Sequence, residues 1–143
     1  MATIYHKGKT PLHIAAAEGC LYTMIYYMAL NKENINTRDR DGWTPLHNAV
    51  LEGHLESVKY LIDEDADPNI PDTDGWIPLH YAAAEGYFNI VRYLVEVALS
   101  DITIGDNDCW FPINYAIAEG HMEVAKYLMQ KGYQLKEKIE FSK

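Results

Sequence analysis

The chain has 143 residues, of which 48% are hydrophobic and 23% charged, so it has the size and composition of one soluble globular domain. The formal net charge of −9 argues against nucleic acids and anionic membrane surfaces as partners, because both attract basic proteins. No apolar run reaches the roughly 20 residues of a membrane helix and the N-terminus lacks the apolar stretch of a signal peptide, so we expect an intracellular protein without membrane insertion.

Four tandem repeats are indicated by three markers that recur in phase, the first two at offsets of 34, 33 and 34 residues. The motif Thr-Pro-Leu-His and its variants begin at Thr10, Thr44, Ile77 and Phe111. The pair Glu-Gly begins at Glu18, Glu52, Glu85 and Glu119. The motif Asp-Gly-Trp begins at Asp41 and Asp74 and recurs from Asp108 with cysteine in place of glycine.

The predicted outer helix of the first repeat carries an apolar stripe. Its outward positions are Tyr22, Ile25 and Ala29, where the later repeats have charged or polar residues. Two interpretations stay open. Either the tail residues Ile4 and Tyr5 fold back over the stripe, or the stripe is a second contact surface or a seam with further sequence.

The second repeat shows the local chemistry most clearly. Thr44 is placed to cap a helix and Pro45 suits its first turn, so a short inner helix is predicted over 46–51. Gly53 supplies the backbone freedom for a tight reversal, and the apolar period over 54–63 predicts an outer helix. The turn-forming residues that follow lead into the next repeat.

These features resemble the ankyrin repeat family over about residues 7–138, nearly the whole chain. The residues that carry the resemblance are Gly-Trp-Thr-Pro-Leu-His at 42–47, Glu-Gly-His-Leu-Glu at 52–56 and Ala-Asp-Pro-Asn at 66–69. The resemblance implies an all-α solenoid with short β-hairpin fingers, a stack of four helix-turn-helix units. It also implies a concave binding face made of the hairpin tips and the inner helices. It does not name a ligand, because the family shares architecture and not partners.

The last two repeats lose groups that stabilise the motif. Ile77 and Phe111 replace the capping threonine, Asn114 replaces the histidine that bonds to it, and Cys109 stands where a turn favours glycine. We therefore expect the fourth repeat to be the least stable. The expected division is an N-terminal tail at 1–6, repeats at 7–40, 41–73, 74–107 and 108–138, and a C-terminal tail at 139–143.

Trp43, Trp76 and Trp110 occupy the same position in successive repeats. Since neighbouring helices pack about 8–10 Å apart, the three rings are expected to form a ladder along the concave side. Tryptophan is enriched at binding hot spots, so the ladder is a candidate contact surface. The alternative is that each ring packs on its own hairpin and stiffens it.

Acidic residues accompany the tryptophans and suggest a basic ligand. The expected protein-binding residues beside the ladder are Asp41, Asp74 and Asp108 at the tips, Glu52 and Glu85 at the ends of inner helices, and Arg38 and Arg40, which interrupt the negative field. An aromatic and acidic groove suits lysine and arginine side chains through charge pairing and cation–π contact. Individual Glu residues are also explained by solvation of the helix reversal.

No catalytic residue, metal ligand or cofactor site is expected. His13, His47 and His80 belong to the structural motif, His54 and His121 are expected to tie neighbouring loops together, and none has a zinc-like spacing to other ligands. The segment around Lys9 lacks the first glycine of a phosphate loop. Cys20 and Cys109 lie in the first and last repeats, too far apart for a disulfide, which fits a reducing compartment.

The leading hypothesis is a non-catalytic, monomeric protein–protein interaction module that binds a basic protein or peptide segment on its concave face. A second hypothesis is a regulatory or targeting arm of a larger protein, or an exported host-directed effector. A third is a structural protein that self-associates through its first or last repeat.

Overall fold

The computed structural model describes residues 6–31 and 34–141, and the regular structure in those ranges is helical. After one 3-10 turn at His6–Gly8, the helices are α1 (Pro11–Glu18), α2 (Leu21–Asn31), α3 (Pro45–Leu51), α4 (Leu55–Asp63), α5 (Pro78–Glu85), α6 (Phe88–Glu96), α7 (Pro112–Ala118) and α8 (Met122–Phe141). They form four helix-turn-helix units, which confirms the predicted solenoid. Within the described ranges, none of the helices combines the length and apolarity required to cross a membrane.

The inner helices α1, α3, α5 and α7 stack on one another in chain order, and each outer helix packs on the inner helix of its own repeat. Small residues make this stacking close, because Ala16, Ala49 and Ala83 on successive inner helices are fully buried. Leu46 and Leu79, one on each central inner helix, fill the layer between them. The core is therefore one continuous column.

The helix starts confirm the predicted gain and loss of caps. The hydroxyl of Thr44 accepts a hydrogen bond from the backbone N–H of His47, while the Thr44 N–H donates to His47 Nδ1 at 3.0 Å. Ile77 and Phe111 make no side-chain cap. At both positions the bond that remains is the one from the backbone N–H to the side chain three residues later. At Phe111 this N–H donates to Asn114 Oδ1 at 2.7 Å.

The expected β-hairpin fingers are not present, since no described residue lies in a strand. In their place are three tight loops, here called the finger loops, at 39–43, 72–76 and 106–110. Each is closed by one backbone hydrogen bond of 2.8–2.9 Å from its first to its last residue. The first residue is always aspartate, and its Oδ1 accepts the two backbone N–H groups that a strand ladder would need, as Asp39 does from Asp41 and Trp43 at 2.9 Å.

Adjacent finger loops stack through backbone hydrogen bonds, and this stacking explains where glycine is required. Thr73 N–H donates to Asp41 O at 3.0 Å. A Cβ on Gly42 would lie 2.9 Å from the same Thr73 nitrogen. Cys109 has the equivalent position in the last finger loop and adopts φ +64°, close to the φ of +79° at Gly42. The predicted strain at Cys109 is therefore present, because a β-carbon is disfavoured in the left-handed region.

Helix α8 is much longer than its counterparts. It has 20 residues, against 9 each in α4 and α6. Gly132 is equivalent to Asp65, which has φ +70° just after α4 ends, yet α8 continues through Gly132. The helix also runs across the expected boundary between repeat four and the C-terminal tail at residue 138. The tail is thus partly helical up to Phe141.

We predict that repeat four exchanges its amide hydrogens fastest within the stack. Cys109 holds a strained φ, the helix start at Phe111 has lost its cap, and Ile117 is 48% exposed, whereas its counterpart Val50 is fully buried. Amides of 108–130 should show lower protection than those of 44–95 in a hydrogen-exchange experiment. Equal protection of both segments would contradict the prediction.

Candidate interaction surface at the finger loops

Five aromatic rings form a continuous ladder where the finger loops meet the inner helices. In spatial order they are Trp43, Tyr81, Trp76, Tyr115 and Trp110. Successive ring centroids are 5.3, 4.6, 4.3 and 5.0 Å apart, and the rings are tilted or edge-on to each other. These distances and orientations are favourable for aromatic contact, so the ladder is cohesive.

The ladder differs from the expected one in its composition. The three tryptophans do not follow one another directly, because a tyrosine from an inner helix lies between each pair. Tyr81 and Tyr115 come immediately after the histidine or asparagine of the inner-helix motif, 34 residues apart. That recurrence is the signal in the sequence that identifies the two tyrosines as members of the ladder. Trp43 and Trp76 are half-buried and Trp110 is 42% exposed.

Buried aspartates of the finger loops hydrogen-bond side chains that belong to the ladder or lie at its end. Asp39, Asp72 and Asp106 open the three finger loops and are all buried. The Tyr81 hydroxyl donates to Asp72 Oδ2, and the Tyr115 hydroxyl donates to Asp106 Oδ2. Burial, together with these carboxylates, raises the pKa of Tyr81 and raises that of Tyr115 to about 12. The tyrosines therefore stay neutral donors at physiological pH.

Repeat one supplies a lysine in place of a tryptophan. Lys9 is equivalent to Trp43, and its Nζ lies 5.0 Å from the centroid of the Trp43 ring. The same ammonium donates to Asp39 Oδ2 at 2.6 Å and to Asn48 Oδ1 at 3.1 Å. Although burial opposes it, the Lys9 bond and two backbone N–H bonds lower the pKa of Asp39. Lys9 thus closes the ladder at the N-terminal end.

We predict that Lys9→Met lowers the free energy of unfolding by about 2 kcal/mol, because the Asp39 carboxylate is fully buried and would lose its charged donor. Urea unfolding measures this loss. Position 48 offers a rescue, since it corresponds to Tyr81 and Tyr115, whose hydroxyls bond the aspartate nine residues earlier. The double variant Lys9→Met, Asn48→Tyr should recover most of the stability. Failure of the rescue would mean that Lys9 stabilises by packing and not through Asp39.

The histidines of the motif hydrogen-bond the backbone of the ladder tryptophans. His47 Nε2 donates to the Trp76 carbonyl at 2.9 Å, and His80 Nε2 donates to that of Trp110 at 3.0 Å. Burial lowers the pKa of His47 to about 4 and also lowers that of His80. Each histidine is therefore neutral, and its ring hydrogen-bonds the backbone carbonyl of the tryptophan in the next repeat.

The expected acidic residues lie at the surface. Asp41, Asp74, Asp108, Glu52 and Glu85 are all exposed. The Asp41 and Asp74 backbone carbonyls accept hydrogen bonds from the next finger loop, so their carboxylates are not needed for stacking. Asp41 has one distant ion pair within the described residues, to Lys7 at 3.9 Å. Exposed pairs of this kind contribute little.

The two arginines have different roles. Arg38 Nη2 donates to the Pro71 carbonyl at 2.7 Å and its Nε to the Gly42 carbonyl at 3.2 Å, so it bridges two finger loops. Arg40 is exposed beside Asp41. Arg38 is exposed as well, so both arginines lie at the surface.

The proposed second surface on α2 is exposed in the structure. Tyr22 is 86% and Ile25 43% exposed. Tyr26 and Leu30 extend the apolar stripe along the same helix. Ile4 and Tyr5, the residues expected to cover it, lie outside the described residues.

The ties between repeats follow the expectation for His54, whose Nε2 lies 3.0 Å from the Ala17 carbonyl in repeat one. The His121 ring packs against Gly86 as the His54 ring packs against Gly19. Among the described residues, no group of three or more metal-ligating side chains comes together. Cys20 and Cys109 are free and exposed.

The family follows from the fold and from comparison. The family model described as ankyrin repeats (3 copies) matches the chain twice, over residues 2–72 and 65–139. These matches cover nearly the whole sequence, and the four stacked helix-turn-helix units agree with them. The chain therefore belongs to the ankyrin repeat family, and the resemblance noted in the sequence is confirmed.

Several curated proteins are similar to parts of this chain. The 26S proteasome non-ATPase regulatory subunit 10 of Dictyostelium discoideum is 46% identical over 59 residues, which is 41% of this chain and 25% of that protein. Alpha-latrotoxin-Lhe1a of Latrodectus hesperus is 51% identical over 49 residues, 34% of this chain and 4% of the toxin. Protein phosphatase 1 regulatory subunit 27 of Homo sapiens is 39% identical over 70 residues, 47% of this chain and 43% of that subunit. The chain thus spans less than half of each relative's length.

Proposed function

We propose that this protein is a non-catalytic interaction module whose finger loops and inner helices bind a basic protein segment inside the cell. The observation that carries the proposal is Lys9. Its ammonium lies against the Trp43 ring and bonds the Asp39 carboxylate, which supports the proposal that this surface accommodates lysine side chains. A partner's lysines or arginines would contact the remaining rings and pair with the exposed tip acids, because Asp72 and Asp106 are already bonded to tyrosines.

The geometry of the tips suggests a spacing for the partner. Asp41, Asp74 and Asp108 recur once per repeat, and stacked helices lie about 10 Å apart. A polyproline II segment advances about 3.1 Å per residue with three residues per turn, so every third side chain faces the same side and three residues span one repeat. We therefore propose that the bound segment adopts a polyproline II conformation and carries a basic side chain at every third position.

Peptide binding tests this proposal. A peptide with three lysines, each separated by two serine or glycine residues, would be titrated while the fluorescence of the ladder tryptophans is recorded. A peptide of the same composition with adjacent lysines is the comparison. The spaced peptide should bind more tightly, and binding of both should weaken with added salt because the contacts are exposed.

Isosteric variants locate the site. Replacing the three tip acids together by Asp41→Asn, Asp74→Asn and Asp108→Asn should weaken the spaced peptide by about tenfold. The matched control removes the same charge from the end of α4 by Asp63→Asn, Glu64→Gln and Asp65→Asn, and should leave the affinity within about twofold. Equal losses in the two variants would show attraction to net charge alone and would contradict a site at the finger loops.

A second candidate function is a regulatory arm of a larger assembly. It is favoured by the names of two relatives, both called regulatory subunits, and by the small share of each relative that the matched segment covers. The peptide site would then serve to recruit the protein that the assembly acts on. The two candidates are compatible, and only the first is tested by the peptide.

A further inference from the structure

The long second half of α8 forms one wall of an open groove at the C-terminal end of the stack. The groove has a volume of about 540 Å³. Its opposite wall comes from the start of α7 and from the loop before the last finger loop. The apolar residues that line it are Ile102, Phe111, Ile113, Met129, Leu135 and Ile139.

The groove lies on a surface that the earlier repeats bury. Phe111 is 41% exposed, whereas its equivalents Thr44 and Ile77 are at most 1% exposed because the next repeat covers them. Met129 is 45% exposed on α8, although its equivalents on α4 and α6 are partly covered. An apolar surface of this kind at the end of a solenoid is costly in water, since terminal repeats usually present a polar outer face.

Two opposite charges mark the rim of the groove. Lys136 and Glu140 both line it and lie four residues apart on α8, which places them on one face of the helix. Neither takes part in an ion pair within residues 6–31 and 34–141. Lysine preceding glutamate is also the weaker order for an intrahelical pair, so both charges remain available to a partner.

We propose that the groove is occupied by the second half of α8 from a second copy of this chain. A twofold interface requires a surface that matches itself. When the second halves of two α8 helices pack antiparallel, Lys136 of each copy faces Glu140 of the other, and Leu135 of each approaches Ile139 of the other. This antiparallel packing thus pairs both rim charges and covers the apolar wall of the groove.

The charge distribution favours this end of the molecule for self-association. The whole chain carries −9, so two copies repel each other over most of their surface. Residues 131–141 instead hold three lysines and two glutamates. The interface therefore joins two surfaces that carry no net negative charge. This replaces the expectation of a monomer, and it does not depend on the peptide site at the finger loops.

Sedimentation equilibrium over a range of protein concentrations tests the proposal. The wild-type chain should associate to a dimer. Lys136→Glu alone and Glu140→Lys alone should each weaken the dimer by about tenfold or more, because each creates two like-charge contacts. An equimolar mixture of the two variants should form a heterodimer, since every rim contact then joins opposite charges. Lys126→Glu, on the first half of α8, is the matched control and should leave the dimer intact.

Circular dichroism is the control that checks whether each variant keeps its helix content. A wild-type chain that stays monomeric at all concentrations would overturn the proposal. So would a dimer that survives both rim substitutions, or a mixture that associates no better than the separate variants. If the dimer is instead lost on Tyr22→Ser and not on the rim substitutions, the interface is the stripe on α2 and the groove is not the site.

Discussion

Lowering the pH from 6.5 to about 4 is expected to cost this protein about 3 kcal/mol of unfolding free energy through His47 alone. In the folded chain the Thr44 N–H points at His47 Nδ1, and His47 Nε2 donates to the Trp76 carbonyl. A proton on Nδ1 would face another N–H group inside a fully buried site. The unfolded chain takes up that proton freely.

The direction follows from the lowered pKa. The stabilisation by neutral His47 is complete above pH 6.5 and is lost as the pH falls toward the folded pKa of about 4. His80 adds to the loss in the same direction, because its pKa is lowered by burial too. Although burial opposes the shift, hydrogen bonds to the carboxylates lower the pKa of Asp39 and of Asp106, so these groups add a further loss of stability in stronger acid.

Urea unfolding at a series of pH values between 7.5 and 4.5 measures this effect. The chain offers its own control, since Asn114 already replaces the histidine in repeat four and accepts the same backbone N–H. His47→Asn should be less stable than wild type at neutral pH but should show a flatter pH dependence. An unchanged slope in that variant would mean that other groups govern the acid response.

Gly75→Ala is expected to destabilise the chain by about 3 kcal/mol or more. Gly75 has φ +83°, where a β-carbon costs about 1–2 kcal/mol. The added carbon would also lie 2.6 Å from the backbone nitrogen of Asn107 in the next finger loop, so the stacked backbone must move. Cys109→Gly at the equivalent position should instead stabilise by about 1 kcal/mol, because it removes the same strain.

Thermal unfolding of the two variants separates the two causes. Cys109→Ala serves as the control for the loss of sulfur, since it keeps the β-carbon and should leave the midpoint nearly unchanged. If Gly75→Ala and Cys109→Ala were equally mild, the clash with the next finger loop would be disproved. A Cys109→Gly variant no more stable than wild type would show that the turn carries no strain.

The helices of each repeat were predictable because local signals determine where they begin and end. Helix α3 starts at Pro45 and ends at Leu51, as the capping threonine and the following Glu-Gly predicted. The turns of the finger loops were predictable from their aspartate and glycine residues, but the absence of strands from the described residues was not. There the Asp39 side chain competes with strand pairing for backbone donors, and family resemblance does not reveal which of the two wins.

The candidate site was predictable only in part. The tryptophans share a sequence phase, so their common surface could be inferred. Tyr81 and Tyr115 belong to a different segment and meet the tryptophans only through the stacking of finger loops on inner helices. Lys9 was dismissed as part of a failed phosphate motif, although its phase with Trp43 identified its place. The continuation of α8 through Gly132 also had no local signal, since glycine disfavours helix interiors.

Lys9 makes the two ends of the aromatic ladder different. At the Trp43 end, a cation built into the chain already occupies the terminal ring and repels any further positive charge. At the Trp110 end the outermost ring is 42% exposed, and no lysine or arginine among the described residues lies over it. The two ends of the row of rings are therefore unlike, because a lysine of the chain covers the Trp43 end while the Trp110 end is open to solvent.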